Sequence, residues 1–154
     1  MSRRESVDRR VDAVGVAKAA GACRVAGVLF SYRCTIACKH CCFGCAQQRT
    51  EAAMTPQQCV SALALLHETG RVVHIAGGEA MLYWDRLVEA LQLAGEQDVA
   101  PHFIETNCSF AVRDELVRNR FSFMARHGVR GLYASADPSP QACARIRRKA
   151  LSSQ

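Results

Sequence analysis

The sequence lacks any uninterrupted apolar stretch of about 18 residues, the length that a helix needs to cross a bilayer, so it predicts no membrane span. Near the N-terminus, acidic residues interrupt a group of arginines, and no apolar stretch with a cleavage site follows them. We therefore expect no signal peptide. Hydrophobic residues make up 49% and charged residues 22% of the 154 residues, a balance that favours one globular domain with a core.

Aromatic residues are also few, at 6%, and they do not alternate with basic residues along one face. The net charge of +6 arises largely at the two ends of the chain, including Arg145, Arg147, Arg148 and Lys149. A nucleic-acid interface typically combines a basic face with interleaved aromatic side chains. The basic ends are instead typical of solvated tails, and the sequence argues against nucleic acid as a partner.

Cysteine is abundant by contrast: the chain has nine, and five of them fall within twelve positions, at 34, 38, 41, 42 and 45. Such crowding leaves no room for five separate bridges to distant segments. Together with the missing signal peptide, it favours metal ligation in a reduced cytoplasm over a secreted disulfide scaffold. We therefore expect a cytoplasmic protein.

Strand patterns alternate four times with helical patterns, which predicts an α/β fold built from parallel βαβ units. Thr55-Pro56-Gln57-Gln58 is typical of a helix start, with a capping threonine, an early proline and a glutamine three residues on. Residues 1–24 are expected to form a tail or short helix before a core domain of 25–154. Predicted strands cover 25–30, 71–76, 102–106 and 129–135, and the predicted helices include Leu87–Leu93, Val112–Met124 and Gln141–Leu151.

Polar and metal-binding residues follow the end of each predicted strand. They are the cysteine loop, Gly77-Gly78-Glu79, Thr106-Asn107 and Ser135-Ala136-Asp137. Active sites of such folds lie at the carboxyl ends of the strands, so we expect these segments to meet at one rim.

Cys34, Cys38 and Cys41 stand in the spacing Cys-x3-Cys-x2-Cys directly after the first predicted strand. Three thiolates are one fewer than a structural zinc ion or an all-thiolate iron–sulfur cube requires, so one coordination position would stay open for chemistry. A second register, Cys38-x3-Cys42-x2-Cys45, has the same spacing. We prefer the first register because it begins at the end of the strand.

This cysteine triplet and the Gly77-Gly78-Glu79 loop after the next strand together resemble the radical S-adenosylmethionine (radical SAM) superfamily. The resemblance implies a [4Fe-4S] cluster held by Cys34, Cys38 and Cys41, with S-adenosylmethionine on its fourth iron. It implies that the glycines and Glu79 bind the SAM amino group, and it makes Asn107 and Ser135 expected contacts of SAM or substrate. His40, before the third cysteine, also fits the family better than Gly44 does in the second register.

The resemblance further implies a partial (βα) barrel, of which about four βα units are present against six in the family core. It implies reductive cleavage of SAM to a 5′-deoxyadenosyl radical that abstracts hydrogen from a substrate, with flavodoxin or ferredoxin as the kind of reductant. The form Cys38-Lys39-His40-Cys41 resembles peptide-modifying members, which predicts a peptide or protein substrate. No residue is assigned as catalytic beyond these ligands.

The small number of units leaves the sheet with an unpaired edge, which another chain is expected to cover. As a radical SAM enzyme, the chain would be a truncated or split fragment or an unusually short member. Two alternatives stay open at this point. One alternative is a catalytically incomplete iron–sulfur binding module, or a fragment that needs a partner. The other is a zinc-binding protein that uses Cys38, Cys41, Cys42 and Cys45.

Overall fold

The computed structural model describes residues 21–135 and the backbone of 147–149. The strands are β1 Val25–Leu29, β2 Ile36–Cys38, β3 Val72–Ala76, β4 Phe103–Thr106, β5 Gly131–Ala134 and β6 Arg147–Lys149. The helices are α1 Pro56–His67, α2 Trp84–Glu96 and α3 Asp114–Arg126, with a 3₁₀-helix at Ala80–Tyr83.

Four of the strands form one parallel sheet in the order β1-β3-β4-β5. A helix follows each of the first three, so the α/β prediction is confirmed, and the sheet is open in the described part of the chain. This architecture is compatible with a partial βα barrel. None of the described helices is both long and apolar enough to cross a bilayer.

Helix α1 shows how closely local sequence determines an element. Thr55 caps it by accepting a hydrogen bond from the Gln58 backbone, and the Gln58 side chain accepts one from the Thr55 backbone at 2.9 Å. Pro56 occupies the first turn, where no amide hydrogen is needed. Gly70, at φ +67°, ends the segment. The predicted capping box is confirmed.

The core lies between the central strands and the helices that cover one face of the sheet. Val73 and Ile75 of β3 and Ile104 of β4 are fully buried, as are apolar side chains of α1 and α2. Because strand side chains alternate between faces, His74 and Glu105 lie on the opposite face of the sheet. The packed core therefore holds the carboxyl ends of β3 and β4 firmly.

Two predictions about the chain outside this sheet are wrong. The cysteine loop contains a strand, β2, and β2 pairs antiparallel with β6, with Cys38 opposite Arg147. Residues 147–149 were expected to be helical within Gln141–Leu151. Backbone pairing with the cysteine loop overrides that weak helical preference, as tertiary context often does. The rest of this predicted helix lies outside the described residues, as do Ala136, Asp137 and residues 1–20.

Candidate functional site

A cavity of about 240 Å³ lies at the carboxyl edge of the parallel sheet. Its lining comes from the cysteine loop, from the glycine turn after β3 and from the ends of β4 and β5. The expected convergence on one rim is confirmed for the described residues. No cysteine lines the larger open groove between α2 and α3, so the cysteine-lined cavity is the candidate site. The lining includes Cys34, Cys38, His40, Cys41, Cys42, Cys45, Gly77, Gly78, Asn107 and Ser135.

The loop thiols surround this cavity at different depths. Cys34 and Cys45 are buried, Cys38 and Cys41 are partly exposed, and Cys42 is exposed. All eight cysteines among the described residues are free thiols. The loop thus presents sulfur ligands on one side of the cavity, and since all five thiols line it, both cysteine registers fit its outline.

The spacing of these thiols bears on the kind of metal they can hold. Within residues 21–135, no three His, Cys, Asp or Glu side chains are close enough to share one metal ion. A structural zinc site gathers four ligands on one ion, whereas the thiolates around an iron–sulfur cube bind different irons. An iron–sulfur cluster thus needs its thiolates around one cavity rather than around one ion.

Burial keeps the deeper thiols protonated when no metal is bound. It raises the pKa of Cys34, with the nearby Glu79 carboxylate as a further cause. It raises the pKa of Cys45 to about 12, and the neighbouring Cys41 adds to this effect. Thiolate ligands must lose these protons when metal binds, so metal uptake at this loop releases protons.

Gly77 and Gly78 are required by the backbone that they pack against. A β-carbon at Gly78 would lie 1.9 Å from the Arg33 carbonyl oxygen, and one at Gly77 would lie 2.6 Å from that of Ser31. Two backbone hydrogen bonds hold the turn in this position. The Gly78 amide donates to the Ser31 carbonyl at 2.7 Å, and the Glu79 amide donates to the Arg33 carbonyl at 2.9 Å. We expected the glycines to admit a ligand. They line the cavity, but the atoms that leave no room for a side chain at either position belong to the backbone that leads into the cysteine loop.

Glu79 lies behind the cavity wall and is fully buried. One carboxylate oxygen accepts hydrogen bonds from the Met81 amide at 3.1 Å and the Thr106 hydroxyl at 2.9 Å. The other accepts one from the Asn107 amide at 2.8 Å. Burial raises the pKa of this carboxyl group, while these hydrogen bonds act in the opposite direction. The carboxylate therefore joins the β3 turn to the end of β4.

Asn107 connects that wall to the cysteine loop. Its Nδ2 donates to the Cys34 sulfur at 3.3 Å and to the Thr35 hydroxyl at 3.0 Å. Its Oδ1 accepts from the Ser109 amide at 2.9 Å, which sets the orientation of the side-chain amide. Ser135, at the end of β5, contributes to the same rim. The structure thus brings every described candidate residue to one place, with Glu79 one layer behind.

Glu105 is a cavity residue that the sequence analysis did not assign to the site. Its Oε1 lies 3.1 Å from Nε2 of His74, and that ring stacks on Phe103 at 4.5 Å. The His74 side chain is mostly buried and lies on the face of the sheet opposite the core. The alternation of side chains along β4 could have indicated this position. Glu105 lies between Ile104 and Thr106, so it must point to the sheet face opposite to theirs.

Comparison with known proteins agrees with this geometry. The family model described as the radical SAM superfamily matches residues 28–152, which include the cysteine loop, the glycine turn and the ends of β4 and β5. No curated protein matches the chain. Members of this superfamily use a [4Fe-4S] cluster and S-adenosylmethionine. With a match over most of its length, the chain belongs to the radical SAM superfamily.

Proposed function

We propose that this protein is an enzyme that binds a [4Fe-4S] cluster and SAM and cleaves SAM reductively, so that a 5′-deoxyadenosyl radical abstracts hydrogen from a substrate. The observation that carries the proposal is the convergence of Cys34, Cys38 and Cys41 with the glycine turn around one cavity, inside the family match. The cofactors supply the radical chemistry, and the chain supplies ligands, orientation and shelter from water.

The residues around the cavity fit the cluster. An all-sulfur donor set is the one that iron–sulfur clusters take. Two of the sulfurs already accept hydrogen bonds: Cys34 from Asn107, and Cys41 from the Cys45 amide at 3.3 Å. Such outer bonds orient ligands and tune the metal centre. Cys34, Cys38 and Cys41 are the ligands that we propose.

SAM is proposed to occupy the cavity beside the cluster, against Gly77, Gly78, Asn107 and Ser135. These four residues belong to the cavity wall, and Asn107 also contacts the Cys34 sulfur. Glu79 supports this wall from behind, because its carboxylate oxygens accept hydrogen bonds from the protein itself. In this proposal Glu79 assists SAM binding by holding the glycine turn against the end of β4.

Electrons for the cluster are proposed to come from a small acidic carrier of the flavodoxin or ferredoxin class. The supporting feature is β6, because its register places three consecutive basic residues, Arg147–Lys149, beside the strand that ends at Cys38. Opposite charge speeds the encounter of two proteins, an effect that salt screens. A rate of cluster reduction that falls as salt is raised would support this docking site.

The substrate is proposed to be a peptide or protein, on the strength of the Cys38-Lys39-His40-Cys41 form of the motif. Glu105 lines the cavity, and its carboxylate lies 3.1 Å from His74 on the sheet face opposite the core, where a substrate would approach. If SAM cleavage were stimulated only by a nucleotide or another small molecule, a peptide substrate would be ruled out.

We also propose a cytoplasmic location. We further propose that a second chain packs against β5, and size-exclusion chromatography would test whether such a complex forms.

The decisive experiment is anaerobic reconstitution with iron and sulfide, followed by reduction with dithionite in the presence of SAM. We expect 5′-deoxyadenosine as a product, and we expect Cys38→Ala to abolish it. Exposed Cys42→Ala is the matched control and should keep activity. A cluster without 5′-deoxyadenosine would favour the alternative function, an iron–sulfur module that needs a partner. Tight zinc binding without a cluster would contradict both.

A further inference from the structure

Asn107 is held at its backbone amide and at both polar ends of its side chain. Its backbone amide donates to Glu79, its Oδ1 accepts from Ser109, and the two hydrogens on Nδ2 go to Thr35 and Cys34. This side chain is therefore positioned before any cofactor arrives.

The contact with Cys34 joins residues 73 positions apart in the chain. It reaches a sulfur that is buried, so water cannot readily replace the amide as a donor. A metal-bound thiolate is a stronger hydrogen-bond acceptor than a thiol, because it carries charge. The bond from Asn107 to Cys34 is thus expected to strengthen when Cys34 becomes a cluster ligand.

We propose that Asn107 is a positioning residue for the cluster, which orients the Cys34 sulfur and raises the reduction potential of the bound cluster. This inference rests on the proposed function. The physical reason is that reduction adds negative charge to the cluster, and a hydrogen bond to a ligand sulfur stabilises the reduced state more than the oxidised state. Glu79 acts one step further back, since it holds the Asn107 backbone.

The test uses the reconstituted full-length protein and a redox titration followed by electron paramagnetic resonance, without SAM. Asn107→Ala removes the donor, and Asn107→Asp removes it while keeping the shape and an acceptor for the Ser109 amide. We expect both variants to bind the cluster at a lower potential than the wild type, with Asp lower than Ala because it adds a negative charge. Asn119→Asp, at an exposed position on α3, is the matched control and should titrate like the wild type.

A second readout is the rate at which a chelator removes iron from the oxidised cluster. We expect loss about 10-fold faster for Asn107→Ala, the lower end of the usual effect of losing an outer-shell partner. If Asn107→Ala fails to fold, as circular dichroism would show, Asn107→Leu decides the question, because it is of similar size, carries no charge and lacks the donor.

Several results would overturn the inference. Potentials and iron-loss rates equal to those of the wild type in both variants would show that the contact has no influence on the cluster. Weaker SAM binding with an unchanged potential would show that Asn107 serves SAM binding alone and does not tune the cluster. A wild-type protein that binds no cluster would contradict the proposed function as well, whereas a normal wild-type cluster with unchanged variants contradicts only the role of Asn107.

Discussion

The two sides of the cavity are built differently. On one side, the glycine turn follows β3 and Asn107 follows β4. Ile75 of β3 and Ile104 of β4 are fully buried in the core. On the other side, the cysteine loop is organised by short-range turns, such as the bonds from the Cys41 amide to Cys38 and from the Gly44 amide to Cys41. Within the loop, Arg33 and Ala46 also form an isolated parallel bridge.

This difference indicates how the site is assembled. The sheet side is fixed by burial and by the carboxylate of Glu79, so it forms with the fold. The loop side has little core of its own, and its sulfurs gain a common partner when a cluster binds. Metal binding that organises a loop contributes to folding free energy. Substitutions on the sheet side should therefore change the stability of the cluster-free protein, and substitutions of loop thiols should change cluster binding.

The largest effect is expected at the loop. Cys34→Ser should abolish binding of the [4Fe-4S] cluster, because it removes one of the three proposed ligands, whereas Cys42→Ser should bind iron like the wild type. Iron and sulfide content after anaerobic reconstitution, with the visible absorbance, measures both. The reverse pattern would assign the ligands to the second register, Cys38, Cys42 and Cys45.

On the sheet side, Gly78→Ala should lower the free energy of unfolding by about 1–3 kcal/mol, the usual range for forcing atoms into a packed site. The added carbon would collide with the Arg33 carbonyl, which is backbone and cannot rotate away. Gly131→Ala is the matched control, because nothing lies within 4 Å of the added carbon. Urea denaturation of the cluster-free protein measures both, and equal midpoints would contradict a packed turn.

Glu79→Gln should lower the free energy of unfolding by about 1–3 kcal/mol at neutral pH, since an amide nitrogen would replace one oxygen that accepts from a backbone amide. Exposed Glu89→Gln should be nearly neutral. Urea denaturation of the three proteins at pH 7 tests this difference.

The pH dependence of the same unfolding measurement reports the buried carboxyl group. Because the pKa of Glu79 in the folded protein lies above its ordinary value of 4.5, the folded state binds a proton more tightly than the unfolded state. Its contribution to stability is complete below pH 4.5 and is lost as the pH rises through the folded-state pKa. The advantage of the wild type over Glu79→Gln should therefore grow as the pH falls toward 4.5. An advantage that shrinks on acidification would mean that the hydrogen bonds outweigh burial.

The smallest effect is expected at Cys108, which follows Asn107 with a left-handed φ of 59°. A β-carbon makes this conformation costly, by about 1–2 kcal/mol, whereas glycine adopts it freely but loses more entropy on folding. Cys108→Gly should therefore raise the free energy of unfolding by up to about 1 kcal/mol. Cys23→Gly, where φ is not left-handed, should not stabilise the protein. A lower melting temperature for Cys108→Gly would show that its side-chain packing matters more than backbone strain.

Local sequence was sufficient for much of the fold. The capping box at Thr55, the alternation of strands and helices and the ends of the parallel strands were all predicted, because each depends on residues within one turn or one strand. The convergence of the candidate residues followed from the same pattern, since parallel strands end at one edge of a sheet.

Long-range contacts were not predictable in this way. The pairing of β2 with β6, the burial of Glu79 and the bond from Asn107 to Cys34 join segments that are far apart in the chain. The spacing of residues along the chain does not predict which hydrogen-bond donors surround the Glu79 carboxylate in the folded protein.

The sequence by itself determined the family, the three-thiolate spacing and the order of the βα units, because each of these is a property of short segments and of their order along the chain. Only the tertiary structure decided that the two glycines accommodate the backbone at Ser31 and Arg33, and that Glu79 supports the wall of the cavity. The physical reason is that burial and hydrogen-bond partners depend on which surfaces pack together, and packing is settled by the whole chain at once.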